Sequence, residues 1–166
     1  MDPALRLIEA MLFAAAEPLP ITVLSAALDA DAAPVLAALR GRYQGGGVEL
    51  HEVAGGWQLR TALDLAPALT RVVPAPRRLP RAAMEALAVI AYHQPATRAE
   101  MEAVRGVSVA QSSMDLLLEL GLVSTAGRRE SPGRPTLWVT TPAFLAQFGL
   151  QSLRDLPPRS ELALPV

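Results

Sequence analysis

The chain contains no cysteine and no lysine, little aromatic surface, and no long hydrophobic run. Without cysteine there is no disulfide framework and no thiolate zinc site. No apolar stretch approaches the roughly 20 residues that a membrane-spanning helix needs. No basic segment leads into the apolar N-terminal stretch, so a signal peptide is not expected. These absences point to a cytoplasmic protein. Aromatic residues make up 4% of the 166 positions while hydrophobic residues make up 51%, much of it alanine. Helices packed through small side chains suit that balance better than a β-sandwich does.

Catalytic raw material is scarce as well. The two histidines, His51 and His93, fall at a strand position and a helix end, and no group of residues has metal-ligand spacing. His93 beside Gln94-Pro95 reads as a surface or capping residue rather than a base. Glu100 and Glu102 lie two apart on a helix, so their carboxylates point away from each other. Ser112-Ser113 lacks the G-x-S-x-G frame of an activated nucleophile. Gly45-Gly46-Gly47 lacks the Lys and Ser/Thr of a phosphate loop and reads as a turn. No enzyme, no metal and no cofactor are expected.

What is present has a repeated plan. From Arg81 to Gly121 the chain reads as three short helices. Met84, Leu87, Ala88 and Ala91 recur at helical spacing, and Pro95 stops that helix. Thr97 sits at an N-cap position with Glu100 three residues on, a capping box for the second helix. Gly106 breaks it, and the third helix is expected from Ser108 to Leu120. Leu122-Val123-Ser124 and Thr136 to Thr140 then bracket a Gly/Pro-rich loop, as two strands of a wing. The first half echoes this about 76 residues earlier. Leu5, Ile8, Leu12 and Ala15 make a helical stripe, Glu17-Pro18 matches Gln94-Pro95, and Val23 to Leu28 forms a short second helix. Pro34 opens a third helix carrying Val35, Leu36 and Leu39. Val48 to Ala54 and Trp57 to Thr61 pair across a Gly55-Gly56 turn.

The fold class expected is therefore α+β, mostly α: two tandem winged helix-turn-helix domains, each three helices plus a two-stranded wing. The expected domains are 1–74 and 79–156, with a mobile tail at 157–166. Leu65 to Val73 is expected to be a short helix, Pro74, Pro76 and Pro80 around Arg77-Arg78 a stiff linker, and Pro142 to Phe148 a closing helix.

Charge divides by half. Residues 1–74 carry five arginines against eight acids, a net of −3; residues 75–160 carry ten against seven, a net of +3. A DNA-binding winged helix places its third helix in the major groove and offers Arg, Lys, Asn or Gln to base edges. The third helix of the second half has no basic residue and carries Asp115 and Glu119. A DNA-binding regulator is thus the weaker alternative. Arg128, Arg129 and Arg134 in the wing loop are possible phosphate contacts, and each phosphate reached would steepen the salt dependence by about 0.9 in log–log slope. What the helices offer instead is apolar surface. Met114, Leu116, Leu117, Leu118 and Leu120, and Leu5, Ile8, Met11, Leu12 and Phe13, cover more than one stripe of their helices. Burying each large side chain is worth roughly 1.5–3 kcal/mol, which favours a protein partner or packing between the halves.

Several stretches resemble segregation and condensation protein B, the ScpB family. They are Leu12-Phe13 to Leu19, Glu52 to Thr61, Leu87 to Arg98, Arg105-Gly106-Val107, Gly127-Arg128, Pro132 to Pro135, Thr140-Thr141, and Phe144-Leu145 with Phe148 to Leu150. The AYxQPxTRxE and PGRPxxxxTT segments are the most specific. His93 departs by standing where a basic residue is expected. The resemblance implies a non-enzymatic subunit of a bacterial condensin-like complex, acting in chromosome condensation and partition at the nucleoid. It implies a homodimer formed mainly through the first domain, which grips the kleisin ScpA and through it the SMC ATPase. DNA and membranes are not direct partners in that reading. The homodimer contact expected on this basis is Leu5, Ile8, Met11 and Leu12. The expected kleisin contact is Met114, Leu117, Leu118, Trp138, Phe144 and Phe148.

Overall fold

The computed structural model describes residues 2–72 and 78–159. Pro74, Pro76 and Arg77 of the expected linker, and the tail beyond Arg159, lie outside the described residues. Two compact units divide the chain, one of Met1–Ala75 with Phe148–Val166 and one of Pro76–Gln147. The expected far boundary of the second domain, at 156, therefore moves back to 147. The reason is local. Leu150 C=O accepts a 2.8 Å hydrogen bond from Ala54 N–H, at the tip of the first unit's hairpin.

In the first unit α1 (Pro3–Ala14), α2 (Ile21–Leu28) and α3 (Ala33–Tyr43) precede an antiparallel hairpin, β1 (Val48–Val53) and β2 (Gly56–Thr61). Asp2 caps α1 by accepting from Ala4 N–H at 2.9 Å, and Pro3 opens it where no donor is needed. Ile8, Leu12, Leu24, Leu36, Leu39 and Leu50 form the core, with Trp57 and Leu59 packed against it. The turn is Ala54-Gly55, both at positive φ, rather than Gly55-Gly56. Gly56 belongs to β2 because Leu19 crosses it. Leu19 N–H donates to Trp57 C=O at 2.9 Å, Trp57 N–H returns 2.8 Å to Leu19 C=O, and a Cβ on Gly56 would meet Pro18 and Leu19 backbone carbons at 2.9 Å. After the hairpin, a 3₁₀ turn at Leu63–Leu65 and α4 (Ala66–Leu69) stand where one longer helix was expected.

The second unit repeats the order with α5 (Arg81–His93), α6 (Arg98–Arg105), α7 (Gln111–Glu119), β3 (Val123–Arg128), β4 (Thr136–Thr140) and α8 (Pro142–Phe148). Ala86, Leu87, Ile90, Met101, Val109, Met114, Leu117, Leu122 and Phe144 are buried there. α7 starts at Gln111, not Ser108, because side chains of α6 seize the backbone ahead of it. Glu102 Oε1 accepts from Val109 N–H at 2.9 Å, and the Arg98 guanidinium donates to Val109 C=O. Among the described residues no single helix is long and apolar enough to cross a membrane.

Candidate interaction surfaces

The two most specific sequence stretches hold each other. Gln94, just past α5, accepts Thr140 N–H at 2.8 Å through its Oε1 and donates to Thr140 Oγ1 at 2.9 Å through its Nε2. Two residues on, Ala96 N–H donates to Trp138 C=O at 3.1 Å, and Ala96 C=O accepts Trp138 N–H at 2.8 Å. Thr97 then caps α6: its backbone N–H donates to Glu100 Oε2 at 2.8 Å, while its Oγ1 accepts Glu100 N–H at 3.3 Å. The same Glu100 carboxylate takes both arms of Arg129, from the loop after β3, at 2.5 and 3.2 Å. Residues 94, 96 and 100 thus run along the hairpin like a rail. Arg98 and Glu102 face the other way and fix Val109 and Gln111, with Arg98 donating to Gln111 Oε1 at 2.8 Å.

Charge is spent inside this framework. The Glu100 carboxyl is held below its ordinary value, first by the Thr97 backbone N–H and then by the Thr97 hydroxyl and Arg129, against some desolvation. Arg105 is only 8% exposed and pairs with Glu85 at 2.8 Å, and Arg81 meets the same carboxylate at 2.8 Å. Glu85 is lowered likewise, chiefly by Arg105. Arg134 pairs with Glu130 at 3.0 Å. Of the three arginines named as possible phosphate contacts, Arg129 and Arg134 are thus engaged by carboxylates of this chain, and Arg128 is exposed. α7 has no basic residue, and its Gln111 is tied to Arg98 and, at 2.8 Å, to Asp115.

The expected apolar contacts divide sharply by burial. In α1, Ile8 and Leu12 are core, and Leu5 and Met11 are half-buried against that core. In the second unit Met114, Leu117 and Phe144 are buried, and Trp138 is half-buried in β4. These side chains build the units, so a partner cannot reach Ile8, Leu12, Met114, Leu117 or Phe144 without opening a core. Leu118 and Phe148 are exposed, each 41%. Further apolar surface, of which the sequence reading names Phe13 but not Leu7, lies on the other face of α1. Leu7 is 43% exposed, Phe13 is 84% exposed, and Ala10 and Ala14 stand between and beside them. Spacings of 3, 4 and 7 place Leu7, Ala10 and Ala14 on one stripe with Phe13 at its edge. Leu120, at the end of α7, is 48% exposed. Among the described residues no group of His, Asp or Glu is placed to hold a metal ion.

The family model for segregation and condensation complex subunit ScpB matches residues 6–159. The chain is 42% identical to segregation and condensation protein B of Desulforamulus reducens, over 96% of this chain and 91% of that one. It is 46% identical to the protein of that name from Syntrophotalea carbinolica, over 93% and 81%. Among solved structures it is similar to a dimer of the ScpB N-terminal domain complexed with ScpA peptide, at 31% identity and a TM-score of 0.40, covering 43% of this chain and 95% of that one. Matched over nearly its whole length, the chain belongs to the ScpB family of segregation and condensation complex subunits.

Proposed function

We propose that this chain is a non-enzymatic subunit of a bacterial condensin-like complex, built as two tandem winged-helix domains that present protein-binding rather than DNA-reading faces. Two copies pair through the outer stripe of α1. The dimer holds the kleisin ScpA through the exposed end of α7 and its surroundings, and reaches the SMC ATPase through the kleisin, in the cytoplasm at the nucleoid. DNA is engaged only indirectly. The observation that carries this reading is the character of the helix faces left in solvent. α1 turns Leu7, Ala10, Phe13 and Ala14 outward, and α7 ends in Leu118 and Leu120 beside acidic Glu119. The apolar side chains offer a phosphate neither cation nor donor, Glu119 repels it, and both faces gain by burial against polypeptide.

Leu118→Asp tests the kleisin face without touching the core. Calorimetric titration with a central fragment of ScpA should show affinity reduced at least about tenfold for this variant, the usual loss when an interface anchor is removed. Unchanged affinity in a folded Leu118→Asp protein would take the kleisin off α7. Retarded duplex DNA in a low-salt gel shift, with no binding of ScpA, would instead favour the DNA-binding regulator.

A further inference from the structure

Glu100, Thr97 and Arg98 occupy one turn of α6 and face two different elements. The Glu100 carboxylate accepts four hydrogen bonds, two from Thr97 and two from Arg129. Arg98, the first residue of that helix, holds Val109 C=O and Gln111 Oε1, the approach to α7. A helix of eight residues has little beyond its first turn, so the cap decides whether Arg98 keeps its place. We propose that the first turn of α6 is a relay that couples the β3–β4 loop to the α6–α7 turn. Taking Arg129 from Glu100 weakens the cap, the weakened cap lets Arg98 move, and the hold on Val109 loosens. Hydrogen bonds join Arg129 to Glu100 and Glu100 to Thr97, the Thr97–Arg98 peptide bond carries the connection on, and Arg98 then holds Val109. A ligand that binds at either end is then felt at the other.

The coupling has a direct readout in amide hydrogen exchange of the whole protein. Val109 N–H donates to Glu102, and neither residue touches Arg129 in this chain of bonds. Arg129→Gln should speed exchange at Val109 by about threefold to fivefold, the size of one partly exposed ion pair, while Ile90 in the core of α5 keeps its rate. Arg129→Lys, which retains the charge but not the two-armed grip, should give a smaller rise. Thr97→Ala should in turn speed exchange at Arg129 N–H, which donates to Pro135 C=O at 2.9 Å. Wild-type exchange at Val109 in Arg129→Gln would overturn the relay. So would an equal rise at Ile90, which marks general loosening of the unit rather than transmission.

Discussion

In the first unit Leu19 reaches Trp57 because Gly56 lets two backbones meet. In the second, Ala96 reaches Trp138 with Leu137 in the place of that glycine and a glutamine side chain clamped on Thr140. Glu17 and Gln94 precede the matching prolines, yet Glu17 is exposed while Gln94 is half-buried and bonded to the hairpin. α2 follows Pro20, which gives it no side-chain cap, and α6 starts with a complete capping box. The first unit has polar ties of its own, Tyr43 O–H to Glu9 at 2.6 Å and the Arg40 guanidinium 5.4 Å from the Trp57 ring centre. Neither crosses from the second helix to the hairpin. One plan is thus closed by apolar packing and close approach in one copy, and by a polar rail in the other. The outer face of the leading helix differs in step: α1 leaves Leu7 and Phe13 in water, while α5 exposes Met84 beside the Arg81–Glu85 pair. The contrast supports the proposal that copies pair through the unit whose outer helix face is the more apolar.

The contrast can be attacked by substitution. The largest effect belongs to a position common to both plans, a buried third-helix leucine. Leu117→Asp, at 0% exposure, should cost upwards of about 4 kcal/mol in urea unfolding followed by circular dichroism. Such a variant reports on folding and says nothing about the kleisin. Next comes the close approach that only the first unit needs. Gly56→Ala should cost about 1–3 kcal/mol, because the added carbon meets backbone that cannot swing aside. Leu137→Ala at the matching place removes carbons and adds none, so any loss there reports the packing of a half-buried side chain and not a clash. The rail is tested by Gln94→Ala, expected to cost about 1–2 kcal/mol by stranding the Thr140 N–H. Glu17→Ala at the matching place should stay within about 0.5 kcal/mol.

The smallest effects separate the units by pH. Glu85 and Glu100, both in the second unit, have folded values below the ordinary 4.5. Their contribution is present above the unfolded value and is lost as pH falls through the folded one. Tyr43, in the first unit, is raised above 10.0, chiefly by its hydrogen bond to Glu9. Its contribution is present below 10.0 and is lost as pH rises through the folded value. Side-chain carbon NMR titrations should therefore place the Glu85 and Glu100 midpoints below 4.5 and that of Tyr43 above 10.0.

Much of this architecture is legible one short window at a time. Thr97 and Glu100 stand three apart and make the capping box that this spacing implies. Three helices and a hairpin follow in both halves as the periodicity suggests. Misreadings arise where a distant residue overrides a local preference. Ser108 is a good N-cap by type, but Arg98 and Glu102 bind Val109 and postpone α7 to Gln111. Gly55-Gly56 looks like the turn, yet Gly56 is spent on Leu19 and Ala54 takes a positive φ in its stead. Gln94 meets Thr140 across 46 positions, and Glu100 meets Arg129 across 29. No window shows such pairs. For the proposed pairing surface the reason is different: α1 carries apolar residues on both faces, so periodicity names a stripe without saying which one the core takes. The core takes Ile8 and Leu12 and leaves Leu7 and Phe13 outside.

Sedimentation equilibrium of the full chain and of Phe13→Asp tests the central claim most directly, because the 84%-exposed ring contributes nothing to the core. The wild-type protein should sediment with twice the 17.6 kDa protomer mass at micromolar concentration, and the folded variant with the protomer mass. A protomer in both samples, or a dimer that Phe13→Asp leaves intact, would contradict pairing through the outer face of α1.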